Sequence, residues 1–549
     1  MVDDMGYGDV QISGNPNTRT PNLTQLANES VQFEYFYVSP VCAPTRASLL
    51  TGRYHQEVGV RSVTNGFETM NPEAVTLAEI LKEKGYSTGI FGKWHLGEYE
   101  PSHPNHQGFD SFVGFRTGHT AIYDDAVLER NGESYSTKGY LTDVLTDEAI
   151  SFMDSAKESP FFCYLAYQTP HTPLHIDTSL YRPYLQQGLN EKTARLYAMI
   201  EGLDANIGRL MDHLKASNLD ENTVVIFLSD NGPISGWKLP QEKMRFNAGL
   251  RDQKFTIYEG GIRTQSYWKW GNRWKKGTTQ ELAAHIDVVP TLLDVLNIAE
   301  PDDVDGISLI PVLENVNSSL PDRIYFENYS LETLREPAPF PGGMARQDVW
   351  KMVNGEELYQ LDIDPSEQKN LKNAYPEKLD SMKTAYLSWY NSVHKSQGFF
   401  PKPIPVGYPD VTSVHVQPHH GHTEGNLKFT GHRGIIGEKI GNHPSGVDGD
   451  WISNWKSHSD QITWELDILD EKSYQIDIKV RGQCQNSSSE LILNIGEKSF
   501  PVKLNAIQSD WAYIEIGDIH LPKGTTQLKL SAGTIEPDCE VEVREVIIE

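Results

Sequence analysis

The chain of 549 residues holds only four cysteines, Cys42, Cys163, Cys484 and Cys539, too few to build a disulfide-held scaffold. It has no apolar run of about 18 residues, the length that a membrane-spanning helix needs, so no membrane span is expected. Cationic residues are scarce as well: 48 Lys and Arg stand against 75 Asp and Glu, a formal charge of −27. General nucleic-acid binding requires clustered Lys and Arg to neutralise phosphates, so that class is excluded. A local cationic site for a small anionic substrate is not. There is no internal repeat and no low-complexity tract. What is present, at 38% hydrophobic residues, is enough apolar mass for a large core. The length suggests three or four units at about 150 residues each.

Strand and helix patterns alternate through residues 1–320. Thr20 precedes a Pro at the first turn of a helix, and Val31–Tyr37 reads as a strand. Thr76–Lys84 reads as a helix closed by Gly85, and Tyr86–Phe91 as a strand. Asp143–Ser155 and Ala194–Lys215 are helical, while Phe161–Tyr167 and Thr223–Leu228 read as buried strands. Ala284–Leu296 is a further helix. Polar, Gly-bracketed segments collect at the strand ends, the pattern of a doubly wound α/β domain with a large, mostly parallel sheet flanked by helices. Residues 321–396 shift to short strands and the helix Pro376–Val393, a smaller α+β subdomain. Residues 397–410 carry Pro401, Pro403, Pro405 and Pro409 and read as a linker. Residues 411–549 alternate apolar and polar in short strands, which suits an all-β antiparallel sandwich. Met1-Val2-Asp3-Asp4 reads as the end of a first strand, so residues upstream of Met1 are expected. The lack of a visible signal peptide therefore says nothing of location.

Several segments carry chemistry-bearing residues. Cys42-Ala43-Pro44-Thr45-Arg46 falls at a strand-to-helix turn, where helix-start amides can hold an anion; alone, Cys42 suits a small buried residue equally well. Asp3 and Asp4 repel one another unless a cation or solvent intervenes, and alone they suit a solvated acidic turn. Lys93 and His95 end one strand, His171 follows another, and Asp230-Asn231 follow a third. Cys163 reads as inert core, and Cys484 and Cys539 are free to pair or to stay apart. His419-His420-Gly421-His422 holds metal-ligand types but reads as a solvated loop. Trp451, Trp455, Trp464 and Trp511 suit a carbohydrate platform or core packing.

Taken together, these segments resemble the formylglycine-dependent sulfatases, of arylsulfatase type, in the alkaline-phosphatase-like superfamily. The resemblance runs over about residues 1–395. It rests on Asp3-Asp4-Met5-Gly6-Tyr7-Gly8-Asp9, on Cys42-Ala43-Pro44-Thr45-Arg46 with Leu50-Thr51-Gly52-Arg53, and on Gly92-Lys93-Trp94-His95-Leu96-Gly97. Pro170-His171, Ser229-Asp230-Asn231-Gly232, Lys254 with Glu259-Gly260-Gly261, and Asp305-Gly306 follow in family order. Thr45 stands where the family more often has Ser. The resemblance implies hydrolysis of a sulfate ester, on a sulfated carbohydrate, by the gem-diol of a formylglycine derived from Cys42. It implies one Ca²⁺ ion on Asp3, Asp4, Cys42, Asp230 and Asn231. Arg46 would hold the diol, Lys93 and Lys254 the sulfate oxygens, His95 would act as base and His171 as acid. His119, Tyr123, His175 and Trp237 are candidates for the substrate pocket. The implied partners are a sulfated saccharide and a formylglycine-generating enzyme, and the implied location is periplasmic or secreted. The C-terminal sandwich resembles carbohydrate-binding modules of polysaccharide-degrading enzymes. The competing reading is a phosphodiesterase or phosphonate monoester hydrolase of the same superfamily.

Overall fold

The apolar run at 161–167 forms the strand Phe161–Ala166, which pairs parallel with Ser87–Lys93; that strand in turn lies parallel to Ser111–Phe115. Val127–Arg130 and Glu133–Ser136 extend this sheet antiparallel. The computed structural model describes residues 1–549 except 235–244, 330–337, 395–400, 431–450, 485–487, 505–508 and 538. Gly92, at φ +115°, lies where the central strands come closest: a Cβ there would stand 2.0 Å from the Ala166 carbonyl oxygen. Only glycine fits this approach, and it sets the position of Lys93 next to it.

A second sheet runs in the order Gly277–Thr279, Val31–Phe33, Ser266–Trp270, Val224–Leu228. Met1 and Val2 join the two sheets. The Tyr167 amide donates to the Met1 carbonyl at 3.1 Å, and the Val2 amide donates to Leu228 at 3.0 Å. Val2 also forms a parallel bridge with Ser229. The central strands are thus parallel; Ser266–Trp270 and the hairpin at the far edge run antiparallel, and Gly277–Thr279 pairs parallel with Val31–Phe33. Asp3, Lys93, His171 and Asp230 all lie at or just past carboxyl ends. An apolar cavity of about 690 Å³ lies between the two sheet edges, lined in part by Cys163, Leu165, Val225 and Phe227. Helices Leu141–Ala156 and Glu191–Ala216 bury Leu145, Tyr197 and Leu203 in one core. Ala43, Ala47 and Leu50 of the helix Cys42–Thr51 and Val288 of the helix Val288–Val295 enter another.

The smaller subdomain is a four-stranded antiparallel sheet, Tyr325–Asn328 to Glu357–Gln360, with the helix Pro376–Val393 packed on it as read from the sequence. Lys351 of this sheet is fully buried and lies 2.9 Å from both Glu259 of the catalytic unit and Glu367.

Beyond it, two six-stranded sheets face each other across a core that includes Val406, Ile476, Leu493 and Val543. The expected linker at 397–410 is shorter than the proline count suggests. Residues 395–400 lie outside the described residues, and Ile404–Val406 already pairs parallel with Gln461–Ile468. Ile404 and Val406 are buried, and an edge strand tolerates Pro405 between them. Trp455 and Trp464 are core residues, whereas Trp451 and Trp511 meet edge-on at the surface with Arg481 stacked on both. Cys484 and Cys539 form a disulfide. Burial pushes the Cys163 thiol up to about 12, which leaves it protonated and inert.

Candidate active site

Val41 is extended, and Cys42 begins the helix that runs to Thr51, with its side chain buried. Every residue of that helix is buried, so its low amphipathicity reflects a helix surrounded by protein. Arg46, one turn on, donates to Asp230 Oδ2 at 2.8 Å and to the Lys93 carbonyl at 2.9 Å. Thr45 does what its position requires through its hydroxyl, which donates to the Asp230 carbonyl at 2.7 Å and accepts from the Ser39 amide at 2.9 Å.

Three carboxylates converge on Cys42, each with its own cation. Lys93 Nζ lies 2.7 Å from Asp3 Oδ2, Lys254 Nζ lies 2.5 Å from Asp4 Oδ1, and Arg46 pairs with Asp230. Burial pushes the Asp230 carboxyl up to about 6, helped by the neighbouring Asp3 charge and opposed by Arg46. Burial likewise raises Asp3 against the pull of Lys93. At Asp4 burial acts in the same sense, but Lys254, His171 and Asn231 outweigh it and hold the carboxyl far below its ordinary range. Asp4 adopts φ +64° and His95 φ +63°; left-handed backbone at non-glycine residues clusters at functional sites because the surroundings must enforce it.

Donor geometry fixes both imidazoles. His95 Nε2 faces the Val63 carbonyl at 2.8 Å, so Nε2 carries the hydrogen and the lone pair of Nδ1 faces Cys42 Sγ at 3.4 Å. Burial, with Lys93 nearby, holds His95 well below the usual histidine range. His171 Nδ1 faces the Thr172 carbonyl at 2.7 Å, which turns Nε2 toward Asp4 Oδ2 at 3.6 Å. Burial lowers His171 to about 3, with Lys254 and Lys93 adding to it and Asp4 opposing.

The oxygen donors fit a hard cation. Asp3 Oδ1, Asp4 Oδ2 and Asn231 Oδ1 are buried and accept no hydrogen bond among the described residues. Asn231 spends its amide on Asp4 Oδ1, 2.7 Å away, which leaves its carbonyl oxygen available. Ligand atoms of Asp3, Cys42 and Asp230 lie within 4.8 Å of one another, as do those of Asp3, Asp4 and His171. Oxygen-rich sets of this kind suit Ca²⁺.

A family model described as Sulfatase matches residues 1–298, and one described as N-sulphoglucosamine sulphohydrolase, C-terminal, matches residues 247–387. The chain belongs to the sulfatase family. The members of this family are sulfuric ester hydrolases. Sulfatase relatives include N-acetylgalactosamine-6-sulfatase of Canis lupus familiaris, 32% identical over 66% of this chain and 73% of that protein. The uncharacterized sulfatase YdeN of Escherichia coli K12 is 33% identical over 58% of this chain, and the match spans 62% of YdeN. Among solved structures, Ps i-CgsB in complex with k-i-k-neocarrahexaose superimposes with a TM-score of 0.65 at 27% identity, over 73% of this chain and 94% of that one.

All six catalytic candidates of this sulfatase, Cys42, Arg46, Lys93, His95, His171 and Lys254, share one buried cluster with Asp3, Asp4, Asp230 and Asn231. The pocket candidates divide. The His119 ring packs on His171 at 4.9 Å, and His175 pairs with the exposed Asp124 at 3.2 Å. Tyr123 is fully buried, and its hydroxyl donates to the His171 carbonyl; it supports His171 from behind and is not a pocket surface. Trp237 lies outside the described residues. Arg245 was not legible in the sequence. It donates to the Asp4 carbonyl at 2.7 Å and grips Asp9, a pairing across more than 230 residues that no local pattern announces.

Proposed function

We propose that this sulfatase removes a sulfate ester from a sulfated carbohydrate by way of a formylglycine at position 42. The observation that carries the reading is the lone pair of His95 Nδ1 aimed at Cys42 from 3.4 Å, inside a ring of three acids and three cations. Cys42, once oxidised to formylglycine and hydrated, presents two hydroxyls on one carbon: one to attack sulfur, and a second whose deprotonation releases sulfate. Asp3, Asp4, Asp230 and Asn231 would hold a Ca²⁺ ion, which supplies Lewis acidity to the nucleophile and to a sulfate oxygen.

The remaining work falls to the chain's own groups. Lys93 and Lys254 sit on either side of the acids and would trade one carboxylate contact for a sulfate oxygen, stabilising charge where it develops. Arg46 holds the loop that carries Cys42 in register with Asp230. His95, neutral and fixed by Val63, is set to take the proton of the second hydroxyl. His171 presents Nε2 to the site, where it would carry the proton the leaving oxygen needs. Carbohydrate is favoured as the alcohol by the saccharide in the Ps i-CgsB complex and by the amino-sugar named for the canine relative. The Ca²⁺ assignment, the site residues and a periplasmic or secreted location are part of the same reading.

Cys42→Ala is expected to abolish sulfate release from sulfated saccharides while leaving the circular dichroism spectrum unchanged. Mass spectrometry of the peptide bearing residue 42 is expected to show the aldehyde in active preparations. Retained turnover in the variant, or an active preparation with wholly unmodified cysteine, would refute the mechanism. Faster hydrolysis of aryl phosphodiesters or phosphonates than of any sulfate would refute the substrate class.

A further inference from the structure

The His419-His420 segment, expected in solvent, is buried at the junction of the catalytic unit and the sandwich. The short turn Pro418–His420 sits against the loop that follows the Ser87–Lys93 strand, and the side chains of His419 and His420 are 1% and 3% exposed. His422 alone of the three histidines is exposed. Two acids from the catalytic unit meet them. His419 Nε2 lies 2.8 Å from Glu98 Oε1, and His420 Nε2 lies 3.3 Å from the same oxygen. On its other side His420 Nδ1 lies 3.2 Å from Glu68 Oε1, whose side chain is 3% exposed.

Three features distinguish this cluster from an ordinary ion-pair network. Two imidazole nitrogens from adjacent residues approach one carboxylate oxygen, and the three ligand atoms lie within 4.8 Å of one another. The edge of a tetrahedron with metal–ligand bonds of 2.0–2.1 Å is about 3.4 Å, close to the 3.3 Å between His420 and Glu98, while the 2.8 Å His419–Glu98 contact would open by about 0.6 Å on binding. Glu68 Oε2 is buried and makes no hydrogen bond among the described residues, and His420 Nε2 meets only Glu98. Finally, Glu68 on Nδ1 fixes the tautomer that frees Nε2, the carboxylate–histidine arrangement that orients metal-ligating imidazoles. Imidazole together with carboxylate is a donor set that favours zinc over the oxygen-seeking Ca²⁺.

We propose that Glu98, His419 and His420 form a second metal site that binds Zn²⁺, with Glu68 as the residue that positions His420. The ion would clamp the start of the sandwich to the catalytic unit. The clamp lies close to the chemistry: the Asn65 amide donates to the His419 carbonyl at 2.9 Å, two residues from Val63, which holds His95.

The test uses the full chain, freed of metal, held in excess Ca²⁺ to fill the oxygen-ligand site, and titrated with Zn²⁺ alone against a chromogenic chelator. One Zn²⁺ per chain is expected in the micromolar range or tighter, also in Asp230→Asn. His419→Ala and His420→Gln should lose it, and Glu68→Gln should weaken it about ten- to a hundredfold. Zinc X-ray absorption on the unaltered chain, which needs no variant to fold, should show two imidazoles in the coordination shell. A chain that takes up no Zn²⁺, folded His419→Ala and His420→Gln variants that bind like the parent, or a shell of oxygens alone would each overturn the proposal.

Discussion

Replacing Thr45 by Val keeps its shape and removes one hydroxyl. That hydroxyl is the partner of two buried backbone groups, the Ser39 amide at 2.9 Å and the Asp230 carbonyl at 2.7 Å. Thr45 and both neighbours are fully buried, so water does not replace the lost contacts. A buried polar group left without a partner costs about 1–3 kcal/mol. Two such groups put the loss for Thr45→Val at about 2–6 kcal/mol. Thr45→Ser keeps both hydrogen bonds and gives up one methyl group, worth about 1 kcal/mol.

The same hydroxyl ties the helix that begins at Cys42 to the turn that carries Asp230 and Asn231. Letting that turn drift moves two oxygen donors relative to Cys42, and a misplacement of about 1 Å costs about a hundredfold in rate. Thermal melts and kcat/KM on a sulfated substrate are therefore expected to fall together in Thr45→Val and to stay near the parent in Thr45→Ser. Because Thr45 lies inside the segment that a modifying enzyme would read, mass spectrometry of residue 42 must accompany the kinetics, with rates expressed per converted chain. A Thr45→Val protein as stable and active per converted chain as the parent would refute the reasoning. So would a Thr45→Ser protein as damaged as Thr45→Val.

Lys351→Met leaves Glu259 and Glu367 facing each other without their shared cation, and breaking a buried pair of this kind costs about 3–5 kcal/mol; Glu367→Gln in the same chain should restore part of the melting temperature. No recovery in the double variant would show that packing, not charge, holds the two units together. Burial holds His285 near 3, below its ordinary 6.5, against the opposing pull of the hydrogen bond to the Tyr37 carbonyl. Its folded pKa is depressed, so the stability it contributes is complete above pH 6.5 and drains away as pH falls toward 3. The unfolding midpoint of His285→Gln should therefore lose less than the parent's between those pH values, and parallel curves would contradict the assignment.

Much of the catalytic cluster was legible because its residues stand beside strand ends, and strand ends are announced by apolar runs stopping at glycine or proline. Lys93 and His171 follow such stops, and Asp230 stands two residues before one, at Gly232. The helix Pro376–Val393 and the alternating strands of the sandwich were legible for a related reason: each buries one face, so periodicity survives in the sequence. Where burial is complete the signal disappears. The helix Cys42–Thr51 is surrounded on all sides, and what marked it was its chemistry, not its pattern.

What escaped the sequence is what arises only when distant segments meet. Arg245 closes on Asp9 and the Asp4 carbonyl across more than 230 residues, and the Tyr123 hydroxyl turns inward to the His171 carbonyl. His419 and His420 make the point most sharply. Read as a histidine loop they belong in water, because no local periodicity marks either side chain as buried. Glu68 and Glu98 come from a unit more than 300 residues earlier, and only the docking of the sandwich brings four titratable groups into one buried space. A linear reading prices each histidine as solvated. The folded chain instead brings two carboxylates and two imidazoles into one space, with ligand atoms of Glu98, His419 and His420 within 4.8 Å of one another, and that convergence of ligand types is the physical reason to look there for an ion.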